Sequence, residues 1–344
     1  MFFALTDDQR EFDAAVRGYL AERFDLDAVR GVVEATDDDG HPAALWKAAG
    51  EQGWLAVLVP EEHDGRELGG LGLGLVEAQV IARALGAGVA PGPWRGTVLA
   101  GEAVRLAGSD GQKSTWLPRL AAGEAVGALA LRGSAPGVLP AVEYGAVADV
   151  VVARSGAGLV LVEGAAATSR GSYDGTTRLA DVEAGAGEAL PGSSAEVIEL
   201  LSARATVLVA ADLVGIAREA LTRTVAYDRE REQFGVPVGS FQAIKHALAD
   251  LHVGVTMAEH AALYAAHAVD ELLPDAPLAV SVAKAKASDV ALQATAAMIQ
   301  YHGGIGYTWE HEAHFFYKRA KRLAGQWGDA DTHRERIAAL TLPE

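Results

Sequence analysis

From Ser193 onward the chain reads as long helical segments with very little between them, and this limits its fold more than any other feature. Ser194-Ala195-Glu196 opens a segment that runs to about Arg231. Val238–Ala268 and residues 275–301 follow, and Trp309–Ala324 is the fourth. The joints are short and made of helix breakers: Gly235 with Pro237, then Pro274-Asp275-Ala276-Pro277, then Gly303-Gly304-Ile305-Gly306. Long amphipathic helices on joints this short must lie side by side and bury their apolar stripes on one another. The pattern predicts a four-helix bundle.

Residues up to about 125 also read as helices. Thr6-Asp7-Asp8-Gln9 has the form of a capping sequence, and Leu5, Phe12, Val16 and Leu20 then recur at helical spacing. A second helix carries Leu45 and Trp46 and stops at Gly50 or Gly53. Gly69-Gly70-Leu71-Gly72-Leu73-Gly74 is read as a loop leading into a helix over Leu75–Leu85. A phosphate cradle would follow a strand and carry G-x-G-x-x-G or a lysine. Between Gly127 and Gly192 charge thins out. Ala128–Leu131, Asp149–Ala153 and Gly158–Val162 there read as strands bounded by turn residues. The expectation is a mainly α chain with a small β domain: a helical domain over 1–126, a shortened β domain over 127–192 and a helical bundle over 193–344.

Composition removes several function classes. The 344 residues include no cysteine, which excludes disulfides, thiolate metal sites and cysteine nucleophiles, and no metal centre is expected. Asp and Glu number 46 against 29 Lys and Arg, a net charge of −17, and no run supplies the basic face that nucleic acid requires. The N-terminus turns acidic at Asp7-Asp8, too early for a signal peptide. The apolar stretch Val207–Ala217 is broken by Asp212 and is too short to cross a bilayer. A cytoplasmic protein without membrane contact is expected.

Two segments of the last region can carry chemistry. The first is Arg231-Glu232-Gln233-Phe234-Gly235-Val236-Pro237-Val238-Gly239-Ser240-Phe241-Gln242. The second is Gln300-Tyr301-His302-Gly303-Gly304-Ile305-Gly306-Tyr307-Thr308-Trp309-Glu310-His311. Arg231 is a permanently charged donor fork suited to a pyrophosphate. Phe234 offers a flat face, and Gly235 and Pro237 a fixed turn. Gln242 and Gln300 offer amides, and Gly303 and Gly304 let a ligand approach the backbone. The plainer alternative is a helix corner in which Arg231 pairs with a surface carboxylate. His302 is read as a packing or backbone contact.

With these two segments in this order, the chain resembles the acyl-CoA dehydrogenase family over nearly its whole length. Gly53-Trp54, Pro60-Glu61-Glu62, the Gly69–Gly74 turn and Trp116-Leu117-Pro118-Arg119-Leu120-Ala121-Ala122-Gly123-Glu124 add to the likeness. The resemblance implies FAD as cofactor. It also implies that Arg231, Gln233, Phe234, Gln242, Gln300, Gly303 and Gly304 contact the ADP half of a flavin held mainly by a neighbouring subunit.

The resemblance also defines what is missing. The family takes the α-proton of an acyl thioester with a Glu from one of two places. One, downstream of the Gly-Gly turn, falls here on Trp327 and Gly328 within Gly325-Gln326-Trp327-Gly328-Asp329. The other, upstream on the first bundle helix, falls on Ala205. None of these side chains can take a proton, so no catalytic residue is expected in this chain. Asp329 and Asp331 lie near the first place and read as caps of a last helix over Asp331–Leu340; Glu199 reads as a solvated charge. The family's ring-holding loop after the first strand is replaced by Arg132-Gly133-Ser134-Ala135-Pro136-Gly137-Val138-Leu139-Pro140, and no Trp occurs between Trp116 and Trp309.

This combination resembles the short, base-less partner subunits of heterotetrameric (α2β2) bacterial enzymes associated with steroid side-chain degradation. It implies a paralogous partner carrying the Glu, an acyl-CoA substrate bound mainly by that partner, and electron-transfer flavoprotein as acceptor. Two alternatives stand beside it: a self-sufficient homo-oligomeric dehydrogenase with its base displaced to Asp329 or Asp331, and an inert scaffold without flavin contact.

Overall fold

The computed structural model describes residues 4–35 and 39–342. Helices α1 (Asp7–Arg23), α2 (Leu26–Glu34) and α3 (Ala43–Glu51) are followed by a small hairpin, β1 (Glu62–His63) and β2 (Arg66–Glu67). Then come α4 (Leu75–Ala87), α5 (Trp94–Ala107) and α6 (Asp110–Ala122). Strands β3 (Gly127–Ala130), β4 (Gly137–Glu143), β5 (Val150–Ser155), β6 (Gly158–Glu163), β7 (Ala166–Arg170), β8 (Leu179–Ala184) and β9 (Glu188–Ala189) form the middle. The rest is α7 (Ala195–Glu230), the hairpin β10 (Glu232–Gln233) and β11 (Val236–Pro237), and helices α8 (Gln242–Asp270), α9 (Ala276–Tyr301), α10 (Ala313–Ala324) and α11 (Ala330–Thr341). The architecture is the mainly α fold with a small β domain that the sequence implied.

By internal contacts the chain forms two compact units. One comprises Ala28–Ala78 and Pro91–Ala205; the other comprises the residues up to Asp27, Gln79–Ala90 and Thr206 onward. In the first unit the strands form two sheets, ordered β3-β5-β6-β9 and β4-β8-β7. Strand β5 explains why its sequence is an unbroken apolar run. Val150 and Val152 enter a core with Trp116, Leu117 and Leu120 of α6, while Val151 and Ala153 enter a second core with Leu139 of β4 and Val182 of β8. A strand buried on both faces shows no polar alternation.

The same unit settles the glycine-rich segment. The Leu71, Gly72 and Leu73 N–H groups donate to the carbonyls of Ala56, Val59 and Val57, at 3.1, 2.8 and 3.1 Å. A Cβ on Gly70 would lie 2.0 Å from the Val59 carbonyl oxygen. The glycines permit close backbone docking, and those amides are spent inside the protein, so the segment is a loop into α4 and no phosphate cradle. The loop predicted over Arg132–Pro140 is partly strand: β4 begins at Gly137 and carries Pro140.

In the second unit α1 opens with the predicted capping box, Thr6 Oγ1 accepting from the Gln9 N–H and Gln9 Oε1 from the Thr6 N–H. Helix α9 packs against α8, α10 and α11. Two ion pairs, one buried and one half-buried, tie α7 into the bundle. Arg319 of α10 donates to both Asp212 carboxylate oxygens at 3.1 and 2.8 Å and to the Ala90 carbonyl at 2.9 Å. Arg218 grips Glu259 of α8 through Nε and Nη2 at 2.8 and 2.6 Å. Helices α4 and α7 cross at glycines: a Cβ on Gly215 would meet the Arg83 carbonyl at 2.0 Å, and one on Gly86 the Asp212 carbonyl at 2.2 Å.

The expectation for Val207–Ala217 needs correction. It lies inside α7, which at 36 residues is long and apolar enough by composition to cross a membrane, though most of that apolar stretch is buried within the protein. Helices α8 and α10 also begin later than predicted, at Gln242 and Ala313, because Val238–Ser240 forms a 3-10 turn and Trp309–Glu312 a turn.

Candidate functional site

Helix α7 ends at Glu230, and Arg231 is the first residue beyond it. Strands β10 and β11 pair with Glu232 opposite Pro237 and Gln233 opposite Val236, leaving Phe234-Gly235 as a two-residue turn. Both turn residues have positive φ, 55° and 80°, as a type I′ hairpin requires. Gly235 meets that demand freely. Phe234 holds it under strain, with its ring 93% exposed and edge-on to Phe241 at 6.2 Å. The Val238 N–H donates to the Arg231 carbonyl at 2.8 Å and closes the base of the hairpin.

The Arg231 guanidinium is exposed and has no partner among the described residues. The alternative of a helix corner with Arg231 paired to a carboxylate is therefore not what the structure holds. Gln233 donates to its neighbour's carbonyl at 2.9 Å. Gln242 opens α8 and Gln300 lies in the last turn of α9, both exposed. Gly303 has φ of 65°, and a Cβ on it or on Gly304 would meet nothing within 4 Å among the described residues. This stretch of backbone is bare.

Two residues that the sequence reading had not combined bring the motifs together. Tyr227, one turn before Arg231, stacks on His302, one residue before Gly303, with ring centroids 4.4 Å apart. His302 donates from Nδ1 to the Met298 carbonyl at 2.7 Å, packs on His311 at 4.5 Å, and has its pKa lowered chiefly by burial. It is a packing and backbone contact, as expected. Aromatic spacing at the end of α7 was the only available signal for Tyr227.

At the two places where the resemblance led one to expect the family's base, the side chains make other contacts. Ala205 is completely buried in α7, and Glu199 is exposed. Trp327 and Gly328 sit at φ 56° and 96° in a bend held from two sides. The buried Lys284 ammonium donates to the carbonyls of Ala324 and Gly328 at 3.0 and 2.8 Å and to Ser288 Oγ at 3.0 Å, which uses all three of its protons. Burial pulls its pKa down to about 8. His333 donates from Nε2 to the Trp327 carbonyl at 3.0 Å, and burial lowers its pKa to about 4. Asp329 is the N-cap of α11, accepting from the Thr332 N–H and Oγ1 at 2.8 and 2.7 Å, and these bonds hold its carboxyl below the usual range. Asp331 pairs with Arg334 at 2.7 Å.

In the other unit the Arg132–Pro140 segment packs on itself and on β5. The Ala135 N–H donates to the Arg154 carbonyl at 2.7 Å, and a Cβ on Gly133 would lie 2.8 Å from the Val138 carbonyl oxygen. Elsewhere in that unit, surface residues His63, Asp64 and Asp110 bring their ligand atoms within 4.8 Å of one another, His63 and Asp110 being hydrogen-bonded at 3.0 Å.

The sequence profile of the acyl-CoA dehydrogenase N-terminal domain matches residues 6–124, and that of the C-terminal domain residues 199–342. Acyl-CoA dehydrogenase IpdE2 of Mycobacterium tuberculosis is 34% identical over 318 residues, covering 91% of each chain. Among solved structures, the ChsE4–ChsE5 complex of Mycobacterium tuberculosis contains a chain that superposes with a TM-score of 0.90 at 25% identity over 100% of both chains. A variant of the Tcur3481–Tcur3483 steroid ACAD gives 0.87 at 25% identity over 97% of each. With both domain profiles matched in order and a full-length relative at this identity, the chain belongs to the acyl-CoA dehydrogenase family, whose members are FAD-dependent oxidoreductases.

Proposed function

We propose that this chain is a required but non-catalytic subunit of a heteromeric, cytoplasmic FAD-dependent acyl-CoA dehydrogenase, and that it contributes the surface for the ADP end of the flavin. The observation that carries this reading is the Arg231 guanidinium, exposed and unpaired among the described residues, on a hairpin that the Tyr227–His302 stack couples to the bare Gly303-Gly304 backbone. A free arginine fork beside an open glycine turn fits a pyrophosphate. Phe234 supplies a flat exposed face for a ring, and Gln233, Gln242 and Gln300 supply side-chain amides. Bound FAD supplies the hydride acceptor for α,β-desaturation.

The proton-abstracting Glu is assigned to a paralogous partner. Support comes from Ala205, Trp327 and Gly328 at the family's two base positions, and from Asp329 and Asp331 being engaged as cap and ion pair. The likeness to chains of the ChsE4–ChsE5 complex and of a steroid ACAD supports a two-chain assembly and a steroid side-chain CoA ester as substrate. Electron-transfer flavoprotein is the proposed acceptor.

Flavin stoichiometry tests this. A family flavin spans two subunits. If this chain supplies only the ADP end, each pair of unlike chains holds one complete site. Flavin absorbance against protein concentration on the complex with a Glu-bearing paralogue should give about one FAD per pair. Stoichiometric FAD and turnover from this chain alone would overturn the reading.

A further inference from the structure

Asp228 is the buried carboxylate that nothing above accounts for. It sits in the last turn of α7, three residues before Arg231, and is 1% exposed. Neither carboxylate oxygen has a hydrogen-bond partner among the described residues. The position is unfavourable for a charge on two counts. A carboxylate sealed from water and left unpaired loses its solvation without replacement. The C-terminal end of a helix also carries the negative pole of its dipole.

Its neighbours make the hairpin the element at stake. The 3-10 turn Val238–Ser240, which follows β11, is packed on Asp228: a Cβ on Gly239 would lie 2.9 Å from the Asp228 carbonyl oxygen and 3.4 Å from its Cβ. That turn carries no titratable group. On its own helix end Arg229, Glu230 and Arg231 are all exposed. Burial alone raises the Asp228 pKa to about 6, with no charged group among the described residues contributing. The side chain is therefore at ease under the turn only as the neutral acid.

We propose that Asp228 is a proton-linked release for the hairpin bearing Arg231 and Phe234: the neutral acid lets the turn sit on the end of α7, and the carboxylate drives it off its seat. The consequence for cofactor binding rests on the role proposed above for Arg231, because the released turn is the one that presents it. Near neutral pH the seat then holds an ionised carboxylate, and the turn opens more readily than it does in acid.

The sign follows from linkage. With the hairpin open, Asp228 titrates at its ordinary 3.8; seated, it titrates at about 6. Opening becomes easier by about tenfold per pH unit between these values and levels off above them, about a hundredfold in all.

Amide hydrogen exchange on the purified full chain reads this directly, without cofactor or partner. After correction for intrinsic rates, protection of the Val238 and Phe241 amides should fall about a hundredfold from pH 4 to 6 and then stay level. Asp228→Asn should abolish that fall and leave these amides about a hundredfold better protected than wild type at pH 7. Equal profiles for wild type and Asp228→Asn overturn the proposal. Should the variant fold poorly, a wild-type profile that is flat across this window overturns it alone. Arg231→Ala, which tests the cofactor role, should leave the exchange profile in place, so the two readings fail separately.

Discussion

Replacing Arg231 with alanine separates a cofactor contact from a structural corner, because of how little the side chain does inside its own chain. Its guanidinium is exposed and makes no hydrogen bond or ion pair to another described residue, so truncation removes no such bond. Surface changes of this kind alter stability by about 0.5 kcal/mol or less. Against a pyrophosphate the same side chain would make charge-assisted contacts worth roughly 1.5–3 kcal/mol. That converts to about one to two decades in FAD affinity. The Arg231→Ala complex with its partner should therefore elute intact from gel filtration, melt like wild type and release its flavin on dilution, followed by in-line absorbance at protein and flavin wavelengths. Arg231→Lys should recover only part of the affinity, since it keeps the charge and loses the planar fork. An Arg231→Ala complex that elutes whole and fully yellow would leave the assignment without support. Early melting of the free chain would revive the helix-corner alternative.

Further outcomes follow from the buried polar contacts and the helix crossings. Asp212→Ala strands the buried Arg319 guanidinium and should cost about 3–5 kcal/mol in urea unfolding. Gly215→Ala, which in an open helix would gain up to about 1 kcal/mol, should instead destabilise, because its Cβ would meet the Arg83 carbonyl at 2.0 Å; a raised melting temperature would show that α4 and α7 give way easily. Lys284 binds its proton less tightly when folded, at about 8 against an ordinary 10.5, so wild type should gain up to about 3 kcal/mol relative to Lys284→Met as pH rises through that window. His333 stays neutral in the fold down to about pH 4, so protonation of the unfolded chain should erode stability from pH 6.5 downward, and His333→Gln should flatten that slope.

The bundle was legible because period and punctuation agree in it: long helical stripes end at Gly or Pro. Its helix starts were less so. Nothing in Trp309-Glu310-His311-Glu312 forbids a helix, but Trp309 lies under the Lys318 ammonium at 4.2 Å and beside His314, tertiary contacts that fix a bend before α10. Strands β5 and β6 were readable as apolar runs. Strand β4 was not, because it begins at Gly137 and includes Pro140, both signals of a loop. Strand β7 is exposed throughout and shows no alternation; β8 does alternate, Ala180, Val182 and Ala184 buried between Asp181 and Glu183, but its alanines make the signal weak. At the site, the motif residues were visible as chemistry. Tyr227, Asp228, Lys284 and His333 were not, since each gains its meaning from a partner, or the lack of one, that only the fold supplies.

The proposed division of labour draws further support from the bend at Trp327. A catalytic base needs a carboxylate that is free to take a proton, with a pKa suited to taking it. This bend is built for fixed geometry. Trp327 is a bulky residue at positive φ, a conformation that costs energy unless its surroundings enforce it. Lys284 and His333 do so through the carbonyls of Gly328 and Trp327, and a Cβ on Gly328 would lie 3.0 Å from His333 Nε2. The nearest carboxylate, Asp329, is committed to Thr332, and its pKa moves downward, away from basicity. Strain maintained by two buried cation-forming side chains is a poor setting for a displaced base. It is a good one for holding an indole in a single position, and that favours the subunit reading over a self-sufficient enzyme.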